Sequence, residues 1–363
     1  MAELPDPLGI RAHGIELELR ADSLELLAHV ATLVPGMVGA PACAPEIEVR
    51  AHWIEQPVPR EHAWFPDGPR SALPGRGLWV GEDDLLWTRM PRDRDLQLRF
   101  RRRHDHFLFD VACRYFPSPK KLAEYPDLRR KRFFDLLRYL VHFPIVWRLE
   151  RERGWTLVHA SAVTRGGRAV LLAGIGGAGK TTTCLALAGR AGMELLSENQ
   201  LLCDGAAVYP VEEPIRLGEE ALALLGTEQL GLEALPIAGG LKHKRMFRLR
   251  RASARQRARV EAIFFPRFSE RGYIRQIDPQ QACERLEAAH RLTPELSDYA
   301  AYAAALELLW PHPGTARARL AVLAGLTATA ACFELGIDRS AGIAPVVEGI
   351  VAALDSGADE VRA

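Results

Sequence analysis

Residues Gly174 to Thr181 read Gly-Ile-Gly-Gly-Ala-Gly-Lys-Thr and constrain this chain more than any other stretch. They fit G-x-x-x-x-G-K-[ST], the pattern of a loop that cradles phosphate. Arg168 to Ala173 before them is an apolar run that reads as a short buried strand. Thr181 to Ala191 after them reads as a helix stopped by Gly192. Glycines let backbone N–H groups close around phosphate oxygens, and the helix start adds partial positive charge. The expected phosphate contacts are Gly174, Gly176, Gly177, Ala178, Gly179, Lys180, Thr181 and Thr182. Lys180 would reach the β- and γ-phosphates, and the Thr181 hydroxyl would bind Mg²⁺. ATP and Mg²⁺ are therefore the expected ligands. A glycine-rich turn without a ligand would leave the lysine and the threonine unexplained.

At 363 residues the chain has room for two domains. Its net charge of +1 gives no overall bias toward nucleic acid or membrane. The six cysteines are scattered with no C-x-x-C pair, which argues against a zinc site or a disulfide framework and favours a reduced, cytoplasmic setting. Met1 to Gly14 has no apolar core of a signal peptide. The apolar run from Leu320 to Leu335 is too short and too rich in threonine to cross a bilayer; it reads as a core helix and strand.

Taken in order, residues 15–20 and 46–54 alternate like strands, with a helix at Ser23 to Leu33 between them. Residues 55–76, rich in Pro and Gly, read as loop. Further strands are expected at 78–80, 85–88, 96–100 and 107–112. This region, 1–125, reads as a smaller α+β domain without a chemical motif. Arg92 to Arg132 holds 13 Lys/Arg against 6 Asp/Glu and reads as a solvated surface, with a patch for an acidic partner as the sharper alternative. Asp127 to Glu150 reads as a long helix that Pro144 should kink or divide, ending near Gly154 and linking the two domains across 126–154.

Thr156 to Val163 reads as one strand, and Arg165-Gly166-Gly167-Arg168 as a tight turn into the strand before the glycine loop. Two strands joined so closely must be antiparallel neighbours. Beyond the loop's helix, Glu194 to Leu196 reads as a strand ending in Ser197-Glu198-Asn199-Gln200. Polar residues at that strand end stand where a Mg²⁺ ligand or a catalytic base belongs. A strand over Glu213 to Leu217 and a helix at Glu219 to Leu225 follow. Residues 242–259 hold nine Lys/Arg and no Asp/Glu, which fits either a mobile solvated loop behind a Gly239-Gly240 hinge or a grip on phosphate or an acidic substrate. With Phe247 as their one aromatic residue, they lack the rings that nucleic-acid stacking needs. Strands at 260–265, 273–277 and 328–335 and helices at 279–290, 295–309 and 343–354 complete a domain spanning 155–354, with a frayed tail from Asp355.

His159-Ala160-Ser161-Ala162-Val163, the glycine loop through Thr182, and Leu195-Leu196-Ser197-Glu198-Asn199 together resemble the HPr-kinase-like P-loop kinases. That family shares its nucleotide core with the phosphoenolpyruvate carboxykinases. The likeness is tightest over residues 156–217 and looser to about residue 335. It implies an α/β P-loop kinase domain with a mixed sheet, preceded here by the smaller α+β domain. In the family, the first strand's histidine, matched by His159, sits against an acidic pair. One aspartate of that pair acts as base, and both help to hold Mg²⁺. Glu198 and Asn199 stand where the pair is usually Asp-Asp. Asparagine can ligate Mg²⁺ through its carbonyl but brings no charge, and a single carboxylate suffices for a Mg²⁺ that also holds phosphates. Glu213 is a candidate extra carboxylate.

The expectation is a phosphotransferase that moves the γ-phosphoryl of ATP to a hydroxyl of a protein, peptide or small molecule. Glu198, His159 and Lys180 are its candidate catalytic residues, and Thr181, Glu198 and Asn199 its Mg²⁺ ligands. Neither membrane nor nucleic acid is an expected partner; an assembly of like chains is compatible with the sequence. Two alternatives stand beside it. One is a nucleotide-binding sensor or assembly module with little turnover, which the missing second aspartate favours. The other is an NTPase whose acceptor is water.

Overall fold

In the computed structural model, which describes residues 5–59, 64–65, 71–73, 77–103, 106–189, 192–225, 231–238, 244–249 and 257–360, the chain is an α/β protein with mixed sheets. It divides into two units: Met1–Leu149 with Asp298–Pro313, and Glu150–Ser297 with Gly314–Ala363. The expected boundaries at 125/126 and 154/155 differ from this division. The helix expected to link the domains lies in the first unit as far as Leu149, and a segment from much later in the chain joins that unit.

Among its described residues the first unit is built on a sheet of nine strands. Across the sheet they run Val38–Gly39, Leu8–Ala12, Ile15–Ala21, Ile47–Ile54, His106–Arg114, Leu96–Arg103, Asp84–Trp87, Leu78–Val80 and Ser71–Leu73. Ile15–Ala21, Ile47–Ile54 and His106–Arg114 are parallel neighbours, and the remaining pairs are antiparallel. The helix Leu24–Leu33 makes the crossover between the first two parallel strands, with Ser23 capping it by accepting from Leu26 N at 3.2 Å. Leu8–Ala12 and Ser71–Leu73 were not expected as strands; the second falls in the stretch that reads as loop.

Helix Leu128–Leu137 continues through a widened, π-type turn, Arg138–His142, into Phe143–Arg153. Pro144 lacks an N–H, and its ring crowds the carbonyl four residues back. The widened turn just before it accommodates both, so the expected division at Pro144 takes this form. Aromatic packing explains why 298–313 belongs here. Tyr302 meets Phe100 at 5.2 Å and Phe143 at 5.4 Å between ring centroids, and Trp310 meets Phe107 at 5.0 Å. Asp298 adds ion pairs to Arg92 at 2.8 Å and Arg138 at 3.2 Å.

The second unit's main sheet runs Thr156–Val158, Leu201–Cys203, Ala207–Pro210, Ala258–Phe268, Arg168–Ala173, Ala160–Arg165 and Met193–Ser197. The expected tight turn is present, and Ala160–Arg165 pairs antiparallel with Arg168–Ala173 from Ala160↔Ala173 to Arg165↔Arg168. On its other side Arg168–Ala173 is parallel to Ala258–Phe268. Ala258–Phe268 is parallel in turn to Ala331–Ile337, which also pairs with Tyr273–Gln276.

Both faces of this sheet are covered, so its central strands are apolar throughout rather than alternating. Ala169, Leu171 and Ala173 face helices Pro279–Leu292 and Thr315–Thr329 through Leu286, Leu323 and Leu326. Val170 and Leu172 face helices Lys180–Ala188 and Ala344–Glu360 through Cys184, Leu185 and Ile350. A separate three-stranded sheet holds Ile215–Leu217, Arg245–Leu249 and Leu232–Ala238. The tail expected to fray from Asp355 is helical to Glu360, and Asp355 pairs with Arg165 at 2.9 Å. Among the described residues no helix is long and apolar enough to cross a membrane. Of the basic stretch, residues 242–243 and 250–256 lie outside the described residues, as does Gly239-Gly240; Arg245–Leu249 is a strand.

Candidate functional site

The strand Arg168–Ala173 ends in the glycine loop, and the helix begins at Lys180. Gly177 and Gly179 have φ of 85° and 93°, in the left-handed region where a side chain is strained. At Gly179 space is short as well, since a Cβ there would lie 3.2 Å from Ile337 Cδ1. Lys180 is folded back into the loop. Its Nζ donates to Gly174 O at 2.8 Å and to Ile175 O at 2.9 Å. Burial draws this ammonium down to about 8; Glu198 and Glu295 oppose the shift and Lys244 adds to it. Gly176 is exposed, and Ala178, Thr181 and Thr182 are half-buried along the same turn.

Opposite the loop lies a feature that the expected single strand over 156–163 did not contain. That segment is two strands that meet at His159. Thr156–Val158 pairs with Leu201–Cys203, ending at Val158↔Leu201. Ala160–Arg165 pairs with Met193–Ser197, starting at Ala162↔Ser197. Between these two pairings the ladder opens. Its freed polar groups are satisfied locally instead: Ser161 Oγ donates to Glu198 O, and Ser197 Oγ donates to Gln200 O at 2.7 Å. Ser197, Glu198, Asn199 and Gln200 are all buried, an uninterrupted polar run inside the protein.

The opening brings the expected residues together. Thr181 Oγ1 donates to Glu198 Oε1, joining the first turn of the helix to the strand end. Glu198 Oε2 is buried without a hydrogen-bond partner, and so is His159 Nδ1. Asn199 Nδ2 donates to Glu213 Oε1 at 2.9 Å, which brings Glu213 into the cluster. Burial raises the Glu198 carboxyl above its usual value, against the opposing charges of Arg216, Lys244 and Lys180 and the Thr181 hydrogen bond. Glu213 is lifted to about 7 by burial, with Arg216 opposing and the charge of Glu198 adding. Burial and then the Lys180 charge lower His159 to about 4, so its imidazole is neutral at pH 7.

Two charged residues act on this site that the sequence reading did not assign to it. Arg216 acts on Glu198, Glu213 and His159, and Glu295 on Lys180, His159 and Glu213. A signal for Arg216 was available. It is the central residue of Ile215-Arg216-Leu217, whose apolar neighbours are both buried on the opposite face of the strand. Glu295, in the second unit like the rest of the site, carries no such local sign. A scan against protein-family models and a search of curated proteins returned no match to this chain.

Proposed function

We propose that the second unit binds ATP on the Gly174–Thr181 loop and transfers its γ-phosphoryl to a hydroxyl of a protein, peptide or small molecule, in the manner of the HPr-kinase-like P-loop kinases. One observation carries this reading. The Thr181 hydroxyl is hydrogen-bonded to Glu198, whose second carboxylate oxygen is buried without a partner, while Lys180 sits folded into the adjoining loop. A buried carboxylate oxygen left unsatisfied costs stability, and such groups cluster where a ligand completes them.

A Mg²⁺ ion fits this donor set. Among the described residues no group of three or more His, Cys, Asp or Glu is arranged to hold a metal. A nucleotide-bound Mg²⁺ needs only one or two carboxylates, because phosphates and waters supply its other ligands. Thr181 and Glu198 would hold it, and Asn199 has a carbonyl oxygen to offer beside them. When bound, the ion supplies positive charge to the β- and γ-phosphates.

The chain's own groups do the rest. Lys180 exchanges its two loop carbonyls for phosphate oxygens, adding charge where it builds up in transfer. Loop N–H groups and the helix start hold the phosphates in position. Glu198 Oε2 accepts the proton of the incoming hydroxyl, and its raised pKa moves its basicity toward neutral pH. Glu213 holds Asn199 in place and stands as the second basic group of the cluster. His159, neutral at pH 7, presents its unpartnered Nδ1 without adding charge.

A specific observation favours a second reading, a nucleotide sensor. The position beside Glu198 holds an uncharged amide already engaged with Glu213, so the site carries less negative charge than an acidic pair would. Incubation with γ-labelled ATP separates the readings. The kinase reading expects label on an acceptor. Label released only as free phosphate indicates hydrolysis, and bound ATP with no label moved indicates a sensor.

A further inference from the structure

Three parallel strands deliver their carboxyl ends to one edge of the second unit's main sheet. Arg168–Ala173 ends in the glycine loop, its neighbour Ala258–Phe268 ends at Phe268, and the next, Ala331–Ile337, ends at Ile337. The last residues of the second and third strands, Phe268 and Ile337, are register partners. Open parallel sheets bind ligands beyond this edge, because the loops there converge on one crevice.

Phe268 is placed beside the glycine loop. A Cβ on Gly179, the last glycine before Lys180, would lie 3.9 Å from Phe268 Cε1 and Cζ. The ring therefore adjoins the loop's helix-proximal end, yet Phe268 is 47% exposed. Ile337, beside it in register, is 6% exposed and fills the core. Packing accounts for Ile337 and leaves the Phe268 ring unexplained.

One side of the ring is already occupied. The Arg339 guanidinium lies 5.2 Å from the Phe268 centroid. The turn that carries it is fixed: Asp338 accepts from Ser340 N at 2.8 Å and from Ser340 Oγ at 2.6 Å. Arg339 Nη2 also reaches Glu220 Oε2 at 3.3 Å, which ties it to the helix Glu219–Leu225. An exposed aromatic ring and a tethered planar cation thus stand together beside the loop.

We propose that Phe268 and Arg339 form the nucleobase platform of the nucleotide site, with the base stacking on the Phe268 ring and the Arg339 plane alongside. The proposal rests on reading Gly174–Thr181 as a phosphate cradle, and it adds the part of the nucleotide that the loop cannot read. The ring borders the loop directly at the end where its helix begins, as the approach at Gly179 shows. Stacking uses the π-face that every base has. The platform therefore separates nucleotide from bare polyphosphate strongly and one purine from another weakly.

The test compares Mg·ATP with Mg·tripolyphosphate by calorimetry on the full chain. Wild type should bind ATP more tightly than tripolyphosphate. Phe268→Ala should weaken ATP binding by roughly tenfold or more and leave tripolyphosphate binding unchanged. Phe268→Trp should retain ATP affinity, and Arg339→Ala should give a smaller loss confined to ATP. Because Phe268 is half-exposed, its truncation should leave the fold intact, which circular dichroism checks. ATP affinity unchanged in a folded Phe268→Ala protein overturns the platform while the phosphate cradle stands. Equal loss for both ligands also overturns it, because the ring would then support the loop rather than the base. If wild type binds neither ligand, the nucleotide reading itself falls and the platform falls with it.

Discussion

The nine-stranded sheet of the first unit and the opened ladder of the second treat buried carboxylates in opposite ways. Among the described residues of the first unit each buried acid meets an arginine: Glu18 with Arg20 at 2.7 Å, Asp110 with Arg101 at 2.5 Å, and Asp298 with Arg92 at 2.8 Å. Elsewhere in the second unit the same rule holds, with Glu150 bonded to Arg319 at 2.6 Å and Glu334 to Arg275 at 3.1 Å. Glu198 departs from it. Its described partner is a hydroxyl, and one of its oxygens has none. A buried ion pair satisfies itself and leaves nothing for a ligand to do. A buried carboxylate with no ion-pair partner of its own, which burial raises against the charges of Arg216, Lys244 and Lys180, leaves an oxygen for an arriving cation to complete.

Substitutions can break this contrast from either side. The largest effect is expected at Glu198→Gln, which keeps size and reach but removes the proton acceptor. Phosphoryl transfer should fall roughly 10²–10⁴-fold. The folded-state pKa of Glu198 is raised, so its stability contribution is lost as pH climbs from the unfolded value through the folded one. The glutamine should therefore melt no lower than wild type at pH 8, and higher if its amide finds a partner. A variant with unimpaired transfer would remove Glu198 from the chemistry and make Glu213 the next residue to test.

Lys180→Ala comes next. It removes the charged donor of the loop, and ATP affinity should drop by about 10- to 100-fold in a folded protein, by calorimetry. Unchanged affinity would show that the loop does not use its lysine. The control comes from the paired region. Asp110→Asn leaves Arg101 without its carboxylate and should lower stability by about 1–3 kcal/mol in chemical denaturation, while ATP affinity stays within twofold. A loss of ATP binding there would blur the distinction between the two regions.

The smallest effect follows pH. Lys180 is lowered to about 8 in the nucleotide-free protein, so its ammonium is lost as pH rises through that value. ATP should bind up to about tenfold more weakly at pH 9 than at pH 8. In Lys180→Ala this slope should vanish. A slope that persists would place the titrating group elsewhere.

Local chemistry was legible in the sequence wherever a residue's own properties decided its state. The strand Leu78–Val80 and the helix Glu219–Leu225 fall where alternation and helix propensity place them, and Ser23 caps as a serine before an apolar run should. The glycine loop was legible because left-handed backbone needs glycine whatever surrounds it. What could not be read was the choice of partner. Thr156 to Val163 looks like one strand because each of its residues suits a strand, and nothing local marks His159 as the point where the chain changes neighbours. Tyr302 and Trp310 reveal nothing of the rings they meet in the first unit, so the segment 298–313 reads as part of the later domain. Arg216 and Glu295 were missed for the same reason: charge acts through space, not along the chain.

The opened ladder also limits how this site can be inherited. From Val158↔Leu201 to Ala162↔Ser197 three residues stand on each side, so one register spans the opening, and it shifts by one residue just beyond, between Ala162 and Val163. Adding or deleting one residue between Ser197 and Leu201 would turn Leu201 and Cys203 from one face of the sheet to the other. Both belong to the apolar core. Descendants of such a site can exchange one side chain for another at 198 and 199, whereas a change of length would need a further bulge like the one between Ala162 and Val163. Spacing should therefore outlast residue identity, so that a relative whose carboxylates are gone would still keep three residues between these two strands.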